Sequence, residues 1–93
     1  MQIKRDEHGR KGAFFIDEGG EWVAELTYFR SGEGEITIDH TEVDEKLRGN
    51  GVGEDLVKAA VDFARENDLK IKLACPYAEK IFSEHPDYGD VRA

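Results

Sequence analysis

Three glycines that alternate directly before a helical pattern, Gly49, Gly51 and Gly53, have the clearest potential for chemistry in this sequence. Glycine adopts backbone conformations that are closed to other residues, so consecutive N–H groups can turn toward one point. Such a nest binds phosphate when the positive end of a helix continues it. Glu54 stands where the dinucleotide-binding pattern G-x-G-x-x-G needs a glycine, and no Gly-Lys-Ser/Thr follows as in a P-loop. The loop therefore predicts a pyrophosphate site, and neither ATP nor NAD is favoured as its ligand.

A tight turn between a strand and a helix is the alternative role for these glycines. A turn needs only one glycine, however, and this loop has three. Arg48 opens the loop and Lys46 lies beside it, in a chain with 21 acidic and 13 basic residues. Two cations next to a glycine nest in an acidic chain favour an anion site over a plain turn.

Cys75 is the candidate nucleophile. It ends a predicted strand directly before Pro76, where a helix can begin, and a helix N-terminus favours the thiolate form of cysteine. The alternative is that Cys75 is a small buried hydrophobic residue, because it shares a strand face with Ile71 and Leu73. As the single cysteine of the sequence it cannot form an internal disulfide or a cysteine-rich zinc site.

His40 is a candidate general base, since the pKa range of histidine suits proton transfer near neutral pH. The sequence predicts that His40 shares a strand face with Ile36 and Ile38, where a hydrogen-bonded core residue is the usual alternative. His85 lies ten residues after Cys75 at a predicted helix end, and capping that end is its better explanation. The three histidines include no i, i+4 pair, so no metal site is predicted.

These residues need particular elements to position them, and the sequence predicts an antiparallel first half followed by strand, helix, strand and helix. Glycine-containing breaks separate runs that alternate with a period of two, which is typical of strands. A strand joined to another through one helix usually runs parallel to it, so the sheet is predicted to be mixed. The predicted strands are 13–16, 21–29, 35–43 and 69–75, and the predicted helices are 54–67 and 76–85.

Apolar residues recur at a helical period in both predicted helices and define the faces that we expect to be buried. On the first helix these residues are Leu56, Val57, Ala60, Val61 and Ala64, and on the second they are Ala78, Ile81, Phe82 and His85.

The 93 residues are enough for one domain, predicted to span 1–93. Hydrophobic residues make up 39% of the chain, which is enough for a core.

The formal net charge of −8 has the wrong sign for binding a phosphate backbone, so we expect no nucleic-acid partner. No apolar run reaches the roughly 20 residues of a membrane span, and the N-terminal residues lack a secretory signal. We therefore expect a cytoplasmic protein without membrane contact, as a monomer or weak dimer.

The segment from Arg48 to Gly53 resembles R/Q-x-x-G-x-G/A, the pyrophosphate-binding signature of the GNAT N-acetyltransferase superfamily. The segments 39–43, 73–77 and 85–88 look like those of its minimal single-domain, YjdJ-type branch. The resemblance covers roughly residues 13 to 90, nearly the whole chain. It implies an α+β fold of the three-layer α/β sandwich type, in which the mixed sheet opens beside the glycine loop.

The resemblance also implies that acetyl-CoA is the co-substrate and that an unknown amine is the acceptor. Backbone groups of one strand would then bind pantetheine as a surrogate strand, N–H groups of the loop would bind the pyrophosphate, and the acetyl end would point toward Cys75. The strand residues are Thr41, Glu42 and Val43, and the loop residues are Arg48, Gly49, Asn50, Gly51, Val52 and Gly53.

The sequence departs from the family pattern N-x-x-A-x-x-L-Y at two positions. Phe82 stands where larger members have the tyrosine that protonates the departing CoA thiolate, and Cys75 stands where they have asparagine. Tyr77 and Tyr88 carry phenols that could reach the acetyl end, although aromatic packing explains both. Two routes of transfer therefore stay open: direct attack by the amine with His40 as base, or transfer through Cys75.

A non-catalytic acyl-CoA binding or sensing module is the alternative function, because the family's tyrosine is missing and the short chain leaves little room for an acceptor pocket. A small interaction domain in which the glycines only form turns is the third possibility.

Overall fold

A computed structural model describes residues 2–93 of the chain. Neither helix within these residues combines the length and the apolar character that crossing a membrane requires. The strands are β1 (Lys4–His8), β2 (Lys11–Glu18), β3 (Glu21–Gly32), β4 (Glu35–Val43) and β5 (Lys70–Leu73), and the helices are α1 (Val52–Glu66) and α2 (Pro76–Glu84). There are also two short 3₁₀ helices, at Glu45–Leu47 and Pro86–Asp90.

The strands form one sheet in the order β1-β2-β3-β4-β5. Neighbours from β1 to β4 are antiparallel, whereas β4 and β5 are parallel and α1 connects them. The predicted α+β class and mixed sheet are therefore confirmed. Strand β1 lies outside the predicted strands because its sequence, KRDEH, has no apolar alternation. Gly9, with a φ of +61°, lies in the turn that returns the chain from β1 to β2.

Both helices pack into a single core with one face of the sheet. The predicted inward residues of α1 and of α2 are buried, with the exception of His85, which is half-buried and stacks on Tyr88 at 4.8 Å between ring centroids. The fully buried Leu26, Ile36 and Ile71 supply this core from three different strands. Within residues 2–93 the opposite face of the sheet carries no helical layer, so the described chain has two layers and not the three that the resemblance implied.

A β-bulge at Asp39 shifts the alternation of β4. Ile38 pairs with Tyr28, but His40 pairs with Thr27, so β4 has one more residue than β3 between these two pairs. A one-residue shift moves every later side chain of a strand to the other face. The carboxylate of Asp39 accepts a hydrogen bond of 2.7 Å from the hydroxyl of Thr27 on the outer face.

The bulge makes the prediction that His40 shares the apolar face of Ile38 wrong. His40 is exposed on the outer face, and Thr41, which pairs with the fully buried Leu26, faces the helices instead. Val43 follows on the same inner face two residues later. Alternation alone could not locate the bulge, since no glycine or proline marks it in the sequence.

Strands β4 and β5 separate after a short parallel stretch. Their pairing ends at Ile38 and Leu73, followed by a hydrogen bond of 2.9 Å from the N–H of Ala74 to the carbonyl of Ile38. Among residues 2–93, strand β4 continues to Val43 with only β3 beside it, while the chain after Ala74 turns into α2. The last residues of β4 therefore present one unpaired backbone edge next to the glycine loop.

Candidate functional site

The loop between β4 and α1 contains two glycines with left-handed backbones. Gly49 has a φ of +87° and Gly51 a φ of +74°, and Gly51 is the N-cap of α1. Side chains are strained in this conformation, and among the described residues only the glycine itself and its two chain neighbours lie within 4 Å of a Cβ built at either position. These two glycines are therefore required by the path of the backbone rather than by crowding.

A row of backbone N–H groups at the start of α1 has no carbonyl partner. The N–H of Arg48 donates to Glu45 and that of Asp55 donates to Gly51, but those from Gly49 to Glu54 donate to no backbone carbonyl of residues 2–93. They lie at the positive end of the α1 dipole, where anions are stabilised. These free N–H groups are the donors that the predicted anion site would use, whereas the N–H of Arg48 is already used in the turn.

Gly53 has a different role from the other two glycines. A Cβ at this position would lie 2.2 Å from the hydroxyl oxygen of Tyr77 and 2.7 Å from its Cζ. Tyr77, in the first turn of α2, therefore packs directly over the first turn of α1. The third glycine makes room for this phenol, whereas the sequence indicated only an additional member of the nest.

Two side chains of the loop fix its position. The Nδ2 of Asn50 donates to the carbonyl of Leu47 at 3.3 Å, within the loop itself. The Nε of Arg48 donates to the carbonyl of Val43 at 3.1 Å and so ties the loop to the end of β4. The guanidinium of Arg48 is exposed beside the free N–H groups, where it adds a positive charge.

The loop, the edge of β4 and Tyr77 enclose a cleft of about 530 Å³, here called the glycine-loop cleft. It includes every predicted cofactor residue except Asn50, whose amide points back into the loop. Leu47 and Glu54 also line it and were not predicted from the sequence, and so does Tyr77, which the sequence offered only as a phenol that could reach the acetyl end. The full lining is Thr41, Glu42, Val43, Leu47, Arg48, Gly49, Gly51, Val52, Gly53, Glu54 and Tyr77.

Cys75 is the N-cap of α2, as predicted, and only 6% of its surface is exposed. Its Sγ donates to the Oγ1 of Thr41 at 3.5 Å, across the gap where β4 and β5 separate. Thr41 lines the glycine-loop cleft, whereas Cys75 lines a second cavity of about 520 Å³. This second cavity, here called the α2 groove, lies between residues 73–76 and the side chains of Glu79, Lys80 and Ser83.

His40, the other predicted catalytic residue, lines neither the glycine-loop cleft nor the α2 groove. Its side chain is 57% exposed, and its Nε2 lies 3.5 Å from the Oε2 of Glu42. The bulge at Asp39 is the physical reason, because it turns His40 to the outer face of the sheet. The structure therefore does not bring His40 together with Cys75.

Aromatic residues of α2 divide between the core and the cleft. Phe82 is buried and packs edge-on against Tyr88 with ring centroids 5.4 Å apart, so it presents no group to the cleft. Tyr77 does line the cleft. Burial raises the pKa of the Tyr77 phenol, and the carboxylate of Glu54 raises it further, so the hydroxyl keeps its proton at neutral pH.

Among residues 2–93, no group of three or more His, Cys, Asp or Glu side chains is arranged to hold a metal ion.

A protein family, a curated relative and a solved structure match this chain over most of its length. A family described as GCN5-related N-acetyl-transferase matches residues 13–91. Protein NATD1 from Homo sapiens is 43% identical over 84 residues, which cover 88% of this chain and 74% of that protein. The solution structure of a GCN5-like putative N-acetyltransferase from Staphylococcus aureus has a TM-score of 0.77 and 41% identity, and the match covers 99% of this chain and 87% of that chain.

A more distant structure shares the fold. This is a putative streptothricin acetyltransferase from Bacillus anthracis, solved in complex with acetyl coenzyme A. It has a TM-score of 0.61 and 21% identity to this chain, and the match covers 83% of this chain and 46% of that chain.

Proposed function

We propose, from the premise that this chain belongs to the GCN5-related N-acetyltransferase family, that it binds acetyl-CoA and transfers the acetyl group to an amine. Family membership is established by the match over residues 13–91; the ligand and the reaction are the proposal. The acetyl coenzyme A bound by the Bacillus anthracis protein of the same fold supports acetyl-CoA as the donor.

The row of free N–H groups from Gly49 to Glu54 is the observation that carries the proposal. A diphosphate presents several negatively charged oxygens, and backbone N–H groups at the N-terminus of a helix bind such oxygens. The exposed guanidinium of Arg48 adds a cation at the same point. We assign the pyrophosphate of CoA to this loop, which consists of Arg48, Gly49, Asn50, Gly51, Val52 and Gly53 together with the N–H of Glu54.

The pantetheine arm would follow the unpaired edge of β4 at Thr41, Glu42 and Val43. The two amides of pantetheine can pair with a free strand edge as an added strand does. The hydrogen bond from Arg48 to the carbonyl of Val43 holds this edge next to the loop, so the two halves of the site have a fixed separation. The acetyl group would then lie beside Thr41 and Cys75, where β4 and β5 separate.

The reaction can follow two routes from this position. In direct transfer, the amine nitrogen bonds to the acetyl carbon, the C–S bond breaks, and the proton lost by nitrogen goes to the CoA thiolate. In the second route, the Cys75 thiol first loses its proton to water, its sulfur bonds to the acetyl carbon, and the C–S bond to CoA breaks, so that the CoA thiolate leaves and takes up a proton. The amine nitrogen then bonds to the acetyl carbon, the bond to Cys75 breaks, and the proton lost by nitrogen returns to the Cys75 sulfur. The contact between Cys75 and Thr41 supports the second route, since it holds the thiol at the gap between the strands. We assign His40 no part in either route, because it lines neither cavity.

Titration of ¹⁵N-labelled protein with acetyl-CoA tests the binding site. We expect the largest shifts at the amides of 49–54 and 41–43. S-acetyl-N-acetylcysteamine, which has the thioester but no diphosphate, is the matched control ligand and should perturb 41–43 while leaving 49–54 unchanged. Shifts confined to other elements, or equal responses at 49–54 to both ligands, would contradict the assignment of the diphosphate.

Release of free CoA, measured with a thiol reagent across a panel of amines, tests the transfer. We expect at least one amine to accelerate release. A non-catalytic acyl-CoA binding module is the alternative, and the burial of Phe82 in the core favours it because no phenol stands at that position. Binding of acetyl-CoA without acceleration by any amine would support this alternative.

A further inference from the structure

We propose that the α2 groove is the binding site of the amine acceptor, and that this acceptor is a primary amine that also carries a carboxylate, such as a free amino acid. The inference rests on the proposed function, because it requires acetyl-CoA to bind in the glycine-loop cleft. It adds a second site, on the other side of the contact between Thr41 and Cys75, and a chemical class for the acceptor.

One contact between small side chains joins a residue of each cavity. Thr41 lines the glycine-loop cleft, Cys75 lines the α2 groove, and their Oγ1 and Sγ atoms are 3.5 Å apart. No ladder of backbone hydrogen bonds closes this gap within the described chain, since the parallel pairing ends at Ile38 and Leu73. An acetyl group beside Thr41 is therefore within reach of a molecule in the groove.

The α2 wall of the groove presents a carboxylate, an ammonium group and a hydroxyl. Glu79, Lys80 and Ser83 lie on the exposed face of α2, opposite the buried Ala78 and Ile81. The Oγ of Ser83 donates to the carbonyl of Lys80 at 2.6 Å. The side chains of Glu79 and Lys80 form no ion pair or hydrogen bond with other residues between 2 and 93, so both head groups are available to a ligand.

These charges fit a small zwitterion better than a simple cation. Glu79 attracts the ammonium form of an amine, and Lys80 attracts a carboxylate on the same molecule. Leu73 contributes an apolar surface beside them. The second ammonium group of a diamine would be repelled by the ammonium group of Lys80. Methylamine has no carboxylate that could pair with Lys80. We therefore expect glycine to be accepted better than either.

Transfer of the acetyl group to an amine in the groove needs no reactant other than acetyl-CoA, the amine and water as proton acceptor. The ammonium group first loses a proton to water, and the neutral nitrogen then bonds to the acetyl carbon. The C–S bond breaks, and the remaining proton lost by nitrogen goes to the sulfur, which gives an N-acetyl amino acid and CoA.

The first test compares glycine, methylamine and putrescine as acceptors in the CoA-release assay. We expect kcat/KM for glycine to exceed that for methylamine at least tenfold. Lys80→Gln should remove most of this advantage by lowering kcat/KM for glycine. Acetyl-CoA binding with no response to glycine, or a glycine advantage that persists in Lys80→Gln, would overturn the proposed acceptor.

The second test asks whether the groove leads to Cys75, and it needs no turnover. Ser83→Trp fills the groove from an exposed helix position, and Glu66→Trp places the same ring on α1, away from both cavities. In protein saturated with desulfo-CoA, which would fill the glycine-loop cleft but has no thioester that could acetylate Cys75, iodoacetamide should alkylate Cys75 in the wild type and in Glu66→Trp, and at least tenfold more slowly in Ser83→Trp. The dissociation constant of acetyl-CoA should stay within twofold in both variants.

The outcomes separate the two proposals. Absence of acetyl-CoA binding in the wild type would remove the proposed function itself. Binding of acetyl-CoA together with equal alkylation of Cys75 in wild type and Ser83→Trp would remove only the groove.

Discussion

The hydroxyl of Tyr77 lies over Gly53, so close that a Cβ at residue 53 would be 2.2 Å from the phenol oxygen. The first turns of α1 and α2 therefore meet at a glycine and a tyrosine. This contact forms one wall of the glycine-loop cleft, and it makes the third glycine of the loop a packing requirement.

Gly53→Ala should force Tyr77 away from α1 and widen the cleft. Because the ring is 39% exposed and can move, we expect the free energy of unfolding to fall by only about 1 kcal/mol. The affinity for acetyl-CoA should fall about tenfold, which corresponds to about 1.4 kcal/mol. Calorimetric titration and urea unfolding measure the two quantities.

The matched background for this substitution is Tyr77→Ala, in which the clash is absent. There Gly53→Ala should raise the free energy of unfolding by up to about 1 kcal/mol, because alanine has the higher helix propensity. An equal loss of stability in both backgrounds would show that the contact with Tyr77 does not explain the glycine.

Gly51→Ala tests the backbone requirement of the nest. The φ of Gly51 is +74° and a Cβ there would meet no atom within 4 Å, so the cost is conformational alone. We expect unfolding to become easier by about 1 to 2 kcal/mol and binding of acetyl-CoA to weaken. Gly89→Ala is the control, because Gly89 has no positive φ and equally open surroundings, and its effect should stay below about 0.5 kcal/mol. Equal effects of the two substitutions would contradict this account.

Much of the fold follows from patterns in the sequence. The apolar period of α1 identifies its buried face, and the change from period two to a helical period gives the order of the elements in the second half. The polar strand β1 does not follow, because its residues alternate in no apolar pattern and depend on pairing with β2. The bulge at Asp39 does not follow either, because it is a matter of register between two strands.

The candidate site also has features that the sequence predicts and features that it does not. The left-handed backbone of the glycine loop could be predicted because positive φ angles at Gly49 and Gly51 leave a direct trace in residue type. The approach of Tyr77 to Gly53 joins residues 24 positions apart, so it depends on how the two helices pack. The only sequence signal for it was a tyrosine in the first turn of a helix that begins beside the loop.

His40→Ala should have little effect on the site. The bulge places His40 on the outer face of the sheet, where its side chain is 57% exposed. We expect the dissociation constant of acetyl-CoA and the rate of CoA release to stay within twofold, and stability to change by less than about 0.5 kcal/mol. A loss of turnover with unchanged binding would return His40 to the position of general base.

The hydrogen bonds of the Glu7 carboxylate, remote from the glycine-loop cleft, predict that the stability of the fold decreases in acid. Its carboxylate accepts hydrogen bonds from Tyr28 at 2.7 Å and from Arg30 at 3.1 Å, and these contacts lower the pKa of Glu7 below its ordinary 4.5. A lowered pKa stabilises the folded state above the ordinary pKa, and this stability is lost as the pH falls through the folded-state value.

Glu7→Gln should therefore reduce the free energy of unfolding by about 1.5 to 3 kcal/mol at pH 7, as expected for loss of a hydrogen bond to a charged group. The difference from wild type should shrink as the pH falls below 4.5. Urea unfolding at several pH values measures it. Glu66→Gln, at an exposed carboxylate without a hydrogen bond or ion pair in the described chain, should show no such dependence. A difference that stays constant across this pH range would contradict the role of the charge.

Cys75 provides the sharpest choice between the two routes of acetyl transfer. Its Sγ lies 3.5 Å from the Oγ1 of Thr41 at the gap between β4 and β5, where the acetyl group of bound acetyl-CoA would lie. If the thiol accepts the acetyl group, incubation with acetyl-CoA without an amine should add one acetyl mass to the peptide that contains Cys75. Cys75→Ala should abolish the adduct and slow CoA release at least tenfold, while binding acetyl-CoA within threefold of wild type. An unmodified Cys75 in protein that binds acetyl-CoA, with release unchanged in Cys75→Ala, would assign the reaction to direct attack by the amine.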